Sequence, residues 1–482
     1  MSYLKIILLF LILVKMKSNS RPSYDNRTFH SQAVDKYIDS LEFKFKDKTL
    51  YKIFSNFYPN TLDTTIDYNN EKNETFIITG DIEAMWLRDS SLQIYPYLKH
   101  CTKDPLLANM IKGLFKKQIS YIIFDPYANA FNKEPLQSPW FNDITYKRNK
   151  EGEFVKAMNE NLWERKFELD SLIFPLFIMS KYYLLTGDYD IFNNKDFFNM
   201  LEIIISVVKK EERGTDEEDE NGGPEYYFQR KIEEPTDSLH FGRGNPCKTC
   251  GLIKTSFRNS DDSTILSYNI PENCLLVSTF KLLIKCFNDE KMEVSIKNEF
   301  NSKFKETIEN ISNSVEKSIY EYGIIIDPSN NEKYFAFEVD GFGNTYFMDE
   351  PGYPNLISLP FFEFCSTSNE IYKNTRKRIL SKRNPYFITG KYGQGCSSSH
   401  SYRRYNWPLF TIMQGLTSIN KNEKENCLKM LVVSAGEEYF MHESYDIDDV
   451  SKFTREWFAW ANSFFGVLID HIIETNPELI FS

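Results

Sequence analysis

Apolar residues recur at three- and four-residue spacing over much of the chain, the signature of helices with one buried face. The pattern predicts helices through Leu92, Tyr95 and Leu98, and over Met110–Phe124, Leu172–Leu185, Phe197–Val208 and Cys274–Phe287. It continues over Val294–Tyr320, Phe410–Leu416, Leu428–Phe440 and Trp457–Ile473. The segment ending at Leu185 runs into Thr186-Gly187-Asp188, a helix stop. Period-two alternation is rare, with short extended pieces expected at Glu225–Phe228 and Tyr334–Val339. The charge run from Lys209 through Asp216-Glu217-Glu218-Asp219-Glu220 to Gly223 is expected to be an acidic surface loop, since it lacks the spacing of a calcium loop. No Pro/Gly/Ser linker or strong repeat divides the chain. Many helices of modest length joined by long polar loops give an all-α expectation: a ring of helical hairpins with its chemistry in the loops at one mouth.

The 482 residues are enough to bury a large core without staples. With 57 Lys+Arg against 68 Asp+Glu the net charge is −11, which offers no pull toward phosphate backbones, so nucleic acid is not an expected partner. At the N-terminus Lys5 precedes the apolar run Ile6–Val14, followed by Lys15 and Lys17. This run fits a secretory leader or signal anchor and falls short of the roughly 20 residues of a full span. Residues 1–20 are assigned to that leader, 21–33 to a flexible segment, and 34–482 to one catalytic domain. Acceptor triplets at Asn26, Asn73 and Asn310 agree with a lumenal or secreted location, the membrane entering only through the possible anchor. The eight cysteines are dispersed. The lone Cys247-Lys248-Thr249-Cys250 has no second pair for zinc, which leaves a local disulfide or two buried thiols.

Six loop-like clusters concentrate acids, Arg, His and Trp: Thr79–Ser91, Glu168–Ser171, Gly242–Asp262, Met348–Pro360, Gly395–His400 and His442–Ser463. A sugar presents hydroxyl pairs and apolar C–H faces, so its site needs carboxylates, Arg and an aromatic ring. Trp86-Leu87-Arg88-Asp89 supplies all three. Cleaving a glycosidic bond needs two further carboxyls, one protonated for the leaving oxygen and one to activate water or attack. The adjacent Asp261 and Asp262 suit a raised pKa. Each feature also has a structural reading: Arg88–Asp89 as an ion pair, Asp261-Asp262-Ser263 and His442-Glu443-Ser444 as helix caps, the tryptophans as core.

The same strings resemble glycoside hydrolase family 125, the metal-independent exo-α-1,6-mannosidases, from about Val34 to the C-terminus. They are T-G-D-I-x-A-M-W-L-R-D-S at Thr79–Ser90, E-L-D-S at Glu168–Ser171, G-R-G-N-P at Gly242–Pro246 and F-R-x-S-D-D at Phe257–Asp262. S-L-P at Ser358–Pro360, M-Q-G-L-T at Met413–Thr417, H-E-S at His442–Ser444 and W-F-A-W-A-N-S at Trp457–Ser463 follow in family order.

The resemblance implies an (α/α)6 toroid and inverting removal of terminal α-1,6-linked mannose from a glycan, without metal or other cofactor. It places the general acid in Ser260-Asp261-Asp262, with Asp261 favoured over Asp262, and the general base at Glu443. Trp86, Arg88, Asp89, Asp170, Arg258, Asp262, His400 and His442 are the expected substrate-binding residues. The chain departs from the family pattern in two places: Asn259 stands where Pro is usual, and Glu350-Pro351-Gly352 where the loop commonly reads D-A-N, so that Gly352 replaces an Asn that could contact substrate. A catalytically weak mannose-binding protein and a lyase or epimerase on the same toroid are the rival readings.

Overall fold

The computed structural model describes residues 21–149, 151–231, 235–436 and 440–481; the expected leader at 1–20 lies outside them. The helices in chain order are α1 (Gln32–Leu41), α2 (Lys48–Phe57), α3 (Asn60–Thr64), α4 (Leu87–Gln93), α5 (Pro105–Phe124), α6 (Leu169–Thr186), α7 (Lys195–Glu211) and α8 (Thr215–Glu220). They continue as α9 (Ile270–Asn288), α10 (Val294–Lys303), α11 (Lys305–Tyr322), α12 (Glu370–Ile379), α13 (Pro408–Leu416), α14 (Lys421–Ser434) and α15 (Ala459–Thr475).

Burial sorts these helices into two layers. Every residue of α4 and of α13 is buried, and α6, α9 and α15 are buried over most of their length. Helices apolar on all sides belong inside. Such a sequence is Leu172-Ile173-Phe174-Pro175-Leu176-Phe177-Ile178-Met179 in α6, which is long and apolar enough to cross a membrane yet sits in the core. The inner helices contact one another in the order α13, α15, α4, α6, α9, and the turn Leu356–Ser358 packs on α13. Outside them lie amphipathic helices such as α11, whose buried Ile308, Ser312, Val315 and Ile319 recur at helical spacing. It packs on α9, as α14 packs on α13 and α2 on α15. This is the six-hairpin toroid.

Short antiparallel strands gather at the N-terminal ends of the inner helices. Met85–Trp86, just before α4, pairs with Ala130–Phe131, which pairs with Leu162–Glu164 on the approach to α6. Tyr268–Asn269, before α9, pairs with Glu338–Val339. Ser444–Asp446 lies between Tyr405–Asn406, before α13, and Asp449–Thr454, before α15. These sheets lock the loops of one mouth together. The bridge between Gly80 and Phe458 joins the first loop to the last. Gly80 has φ +130°, and a Cβ there would lie 3.0 Å from the Trp457 carbonyl oxygen, so the motif glycine is required by this approach.

Several sequence expectations need correction. The acidic run is not a loop: α7 reaches Glu211, and Thr215–Glu220 is helical because its charge is paired inward. Buried Glu218 accepts from Arg243 at 2.9 Å and from Lys254. Residues 21–33 are not a loose segment, since Arg21 clamps Asp63 at 2.6 and 2.9 Å and pairs with Asp35 at 2.7 Å. The helix expected over Val294–Tyr320 is broken at Phe304, and the one over Leu428–Phe440 starts earlier and stops at Ser434. Cys247 and Cys250 are free thiols, one buried and one half-buried.

Candidate active site

The loops that enter the inner helices carry the expected site residues, and the first turns of those helices bring acids together. Asp89 lies in the first turn of α4, Asp170 in that of α6 and Glu272 in that of α9. Helix N-termini favour negative charge, which helps to hold these carboxylates in one buried nest. Its counter-ion is Arg88, 3 % exposed. Arg88 Nη1 donates to Glu168 Oε2 at 2.7 Å and to Asp170 Oδ2 at 3.3 Å. Arg88 Nε lies 3.4 Å from Asp89 Oδ2, yet neither atom has a hydrogen-bond partner within the protein. Burial pushes the Asp170 carboxyl up to about 6 against the pull of Arg88. Burial likewise raises Asp89, Glu168 and Glu272, the last reinforced by Asp170. One guanidinium faces Asp89, Glu168 and Asp170, while Glu272 accepts from Asp170 N at 3.3 Å.

Trp86 forms a small cluster with Ala84 and Ala130, apart from the main core, against half-buried Ile82 and Trp163. The Trp86 and Trp163 rings meet edge to face at 6.4 Å.

The loop before α9 is a tight turn: Asp261 N donates to Arg258 O at 2.9 Å and Arg258 N to Asp262 O at 2.8 Å. Asp261 stands at its tip with φ +69°, a left-handed conformation uncommon outside glycine and Asn-like residues. Its Oδ1 is buried with no hydrogen-bond partner within the protein, and Lys166 Nζ holds its carbonyl oxygen at 2.6 Å. Asp262 points its carboxylate to other partners: His400 Nδ1 lies 3.5 Å from Oδ1, and the Ser399 hydroxyl donates to Oδ2. Burial opposes ionisation of Asp262, but these contacts and the Arg258 charge hold it below the usual carboxylate range.

Arg258 donates to Glu338 at 2.6 Å and to Glu350 at 2.9 Å, Ser260 Oγ also donates to Glu350 at 2.7 Å, and the buried Arg258 Nη2 has no hydrogen-bond partner among the described residues. Arg258 therefore fixes the shape of the acid turn. His442 is similarly engaged. Its ring stacks on Phe453 at 3.6 Å, Nδ1 faces the Arg455 carbonyl at 3.2 Å, and burial lowers its pKa.

Glu443, one residue on, receives a hydrogen bond from Thr454 Oγ1 at 3.1 Å and faces Arg455 Nη1 at 3.5 Å. Arg455 in turn is anchored to Asp81 of the first loop. His400 links the two halves of the mouth. Burial disfavours its charge, but the Asp262 contact and the nearby Asp261 and Glu443 charges override it and raise the imidazole to about 9. Asp261, Asp262 and Glu443 thus lie within electrostatic reach of one ring. The structure also brings in Glu168, Lys166, Arg455 and Ser399, none of them singled out from sequence. Glu168, Arg455 and Ser399 lay inside the recognised clusters. Lys166 carried only the signal of a basic pair, Arg165-Lys166, between Glu164 and Glu168.

Residues 47–470 match the profile of the family described as metal-independent alpha-mannosidase (GH125). The chain is 36 % identical over 472 residues to the meiotically up-regulated gene 157 protein of Schizosaccharomyces pombe, covering 95 % of this chain and 89 % of that one. It superposes with a TM-score of 0.82 and 33 % identity on a Streptococcus pneumoniae metal-independent alpha mannosidase, in a non-productive complex with alpha-1,6-mannobiose. That match spans 92 % of this chain and 99 % of that one. With this coverage, the toroid and the mouth loops in family order, the chain belongs to glycoside hydrolase family 125, the metal-independent α-mannosidases.

Proposed function

We propose that the protein is an exo-acting, inverting hydrolase of terminal α-1,6-linked mannose on glycans, with Asp261 as general acid and Glu443 as general base. The observation that carries the roles is the different fate of the two adjacent aspartates. Asp262 is committed as a carboxylate to His400 and Ser399, whereas Asp261 keeps a side-chain oxygen without a protein partner at the tip of a constrained turn. An acid must present such an oxygen to the leaving group. Glu443 is oriented by Thr454 and Arg455, as a base that aims a water must be. Arg88 Nε and Asp89 Oδ2, buried and unbonded, are a donor and acceptor pair suited to sugar hydroxyls, with Trp86 and Trp163 beside them.

The streptococcal relative, with alpha-1,6-mannobiose, supports the linkage. A secretory-pathway location is supported by the leader-like N-terminus and by the exposure of Asn26, Asn73 and Asn310. The test is incubation with α-1,2-, α-1,3- and α-1,6-mannobiose while released mannose is followed by NMR. Release from the 1,6 isomer, appearing first as the β-anomer, is the expected result. An α-anomer first would reject inversion, and no mannose would reject the activity.

A further inference from the structure

Beside the acid turn lies a cavity of about 240 Å³, with Ser238, His240, Asn245, Ser263 and Thr264 among the residues that line it. It falls below the roughly 300–1,000 Å³ of pockets that enclose drug-sized ligands, and suits a single ring. From this cavity we infer that the enzyme has a separate subsite for the second sugar on the leaving-group side of the scissile bond. This rests on the mannosidase reading and extends it.

The placement follows from chemistry. A general acid protonates the oxygen of the leaving sugar, so that sugar and whatever is attached to it lie on the acid's side. The first leaving ring must sit at Asp261 itself. Ser263 is two residues farther along the same turn, within about 7 Å at the reach of an extended chain, the span of one more ring. Lys166 fastens the two walls by holding both the Asp261 carbonyl and the Asp237 carboxylate next to Ser238. The cavity and the acid are therefore parts of one braced unit.

The lining offers what a sugar ring uses. Among the described residues, Ser263 Oγ, the His240 imidazole and Asn245 Oδ1 have no hydrogen-bond partner. Asn245 Nδ2 instead holds Ile265 O at 2.8 Å, which leaves its oxygen facing outward. The Ser238 hydroxyl accepts from Arg230 N at 3.1 Å and remains free to donate. Outside the lining itself, Phe241 stands with its ring 4.4 Å from that of the lining residue His240, 77 % exposed and at φ +49°. A large apolar ring held out to solvent in a strained conformation is a platform for the C–H face of a sugar. The turn cannot relax readily, because a Cβ at Gly242 would lie 2.1 Å from the Tyr227 ring.

The experiment measures affinity of Glu443→Gln protein for α-1,6-mannobiose and for the linear α-1,6-mannotriose, with and without Phe241→Ala or Ser263→Ala. The trisaccharide should bind about tenfold more tightly than the disaccharide, and either second substitution should erase most of that margin while mannobiose affinity stays within twofold. Equal affinities for the two sugars, or a margin that survives both substitutions, would overturn the subsite. Mannose release from mannobiose by the wild type, run in parallel, reports on the mannosidase reading separately, because the binding margin does not depend on turnover.

Discussion

Asn259 and Gly352 fit into one another: a Cβ at Gly352 would lie 2.1 Å from Asn259 Oδ1. The two residues meet at the turn that carries Asp261 and Asp262. Asn259 Nδ2 donates to the Pro354 carbonyl at 2.7 Å, tying that turn to the loop after Met348-Asp349-Glu350. The turn is held by a side-chain bridge that needs the empty space at Gly352.

Gly352→Ala should accordingly destabilise the protein by about 1–3 kcal/mol, the usual cost of overpacking. Asn259→Ala alone should also destabilise, by losing a buried hydrogen bond, but the double variant should be more stable than the sum of the single effects. A denaturant-unfolding double-mutant cycle checks this. Additive effects would mean that the two residues do not share space.

The imidazole of His400 is predicted to titrate near pH 9, with Asp262 as the main cause. Its folded-state value lies above the ordinary 6.5, so the stability it contributes is complete below about pH 6.5 and is lost as pH rises through about 9. The side chain is 35 % exposed, so solvent screens part of this effect. NMR should give a midpoint near 9 in the wild type and a clear fall toward the ordinary value in Asp262→Asn. An unchanged midpoint in that variant would remove the Asp262–His400 coupling.

How much of this could be read from the sequence depended on length scale. Helices of three turns or more, such as α6 and α9, announced themselves by repeating apolar positions. The rim strands, two to six residues long, are too short for a period to register, although they set the geometry of the mouth. The acidic run over Asp216–Glu220 read as a loop because its partners Arg243 and Lys254 lie far along the chain. For the site, motifs located Arg88, Asp89, Asp261 and Glu443. Only three dimensions separated Lys166, which holds the turn, from residues with buried atoms free to act, Arg258 Nη2 among them.

Arg88→Ala should be chiefly a folding defect. Removing the buried cation that faces Asp89, Glu168 and Asp170 leaves charge uncompensated, a loss of about 3–5 kcal/mol for a broken buried pair. Asp89→Asn keeps the packing and takes away one acid, so it should fold normally. If Asp89 grips a sugar hydroxyl, that variant should raise KM and lower kcat together, measured on α-1,6-mannobiose at matched folded fraction.

Chelation should leave activity intact. Four acids of the mouth already have cationic or hydroxyl partners: Glu168 and Asp170 take Arg88, Asp262 takes Ser399, and Glu443 takes Thr454 and Arg455. Charge-assisted hydrogen bonds of this kind can grip sugar hydroxyls without an ion. Mannose release measured before and after dialysis against EDTA should agree. A loss restored by calcium would show that a metal shapes the site.

The roles proposed for Asp261 and Glu443 predict different dependence on the leaving group. Glu443→Gln keeps the hydrogen bond from Thr454 and the fold, but cannot take a proton from water, so kcat should fall by about 10²–10⁴ on every substrate. Asp261→Asn should fall as far on α-1,6-mannobiose, whose leaving oxygen needs a proton. It should fall much less on an activated aryl α-mannoside, which departs with little help. Asp262→Asn provides the control. Because Asp262 is bonded to His400 and Ser399, its loss should shift the His400 titration and weaken turnover on both substrates alike. If Asp262→Asn were instead the variant rescued by the aryl leaving group, the acid would be Asp262. The unbonded oxygen of Asp261 would then need another role. Melting curves recorded for each variant separate these outcomes from unfolding, which would lower activity only in proportion to the folded fraction.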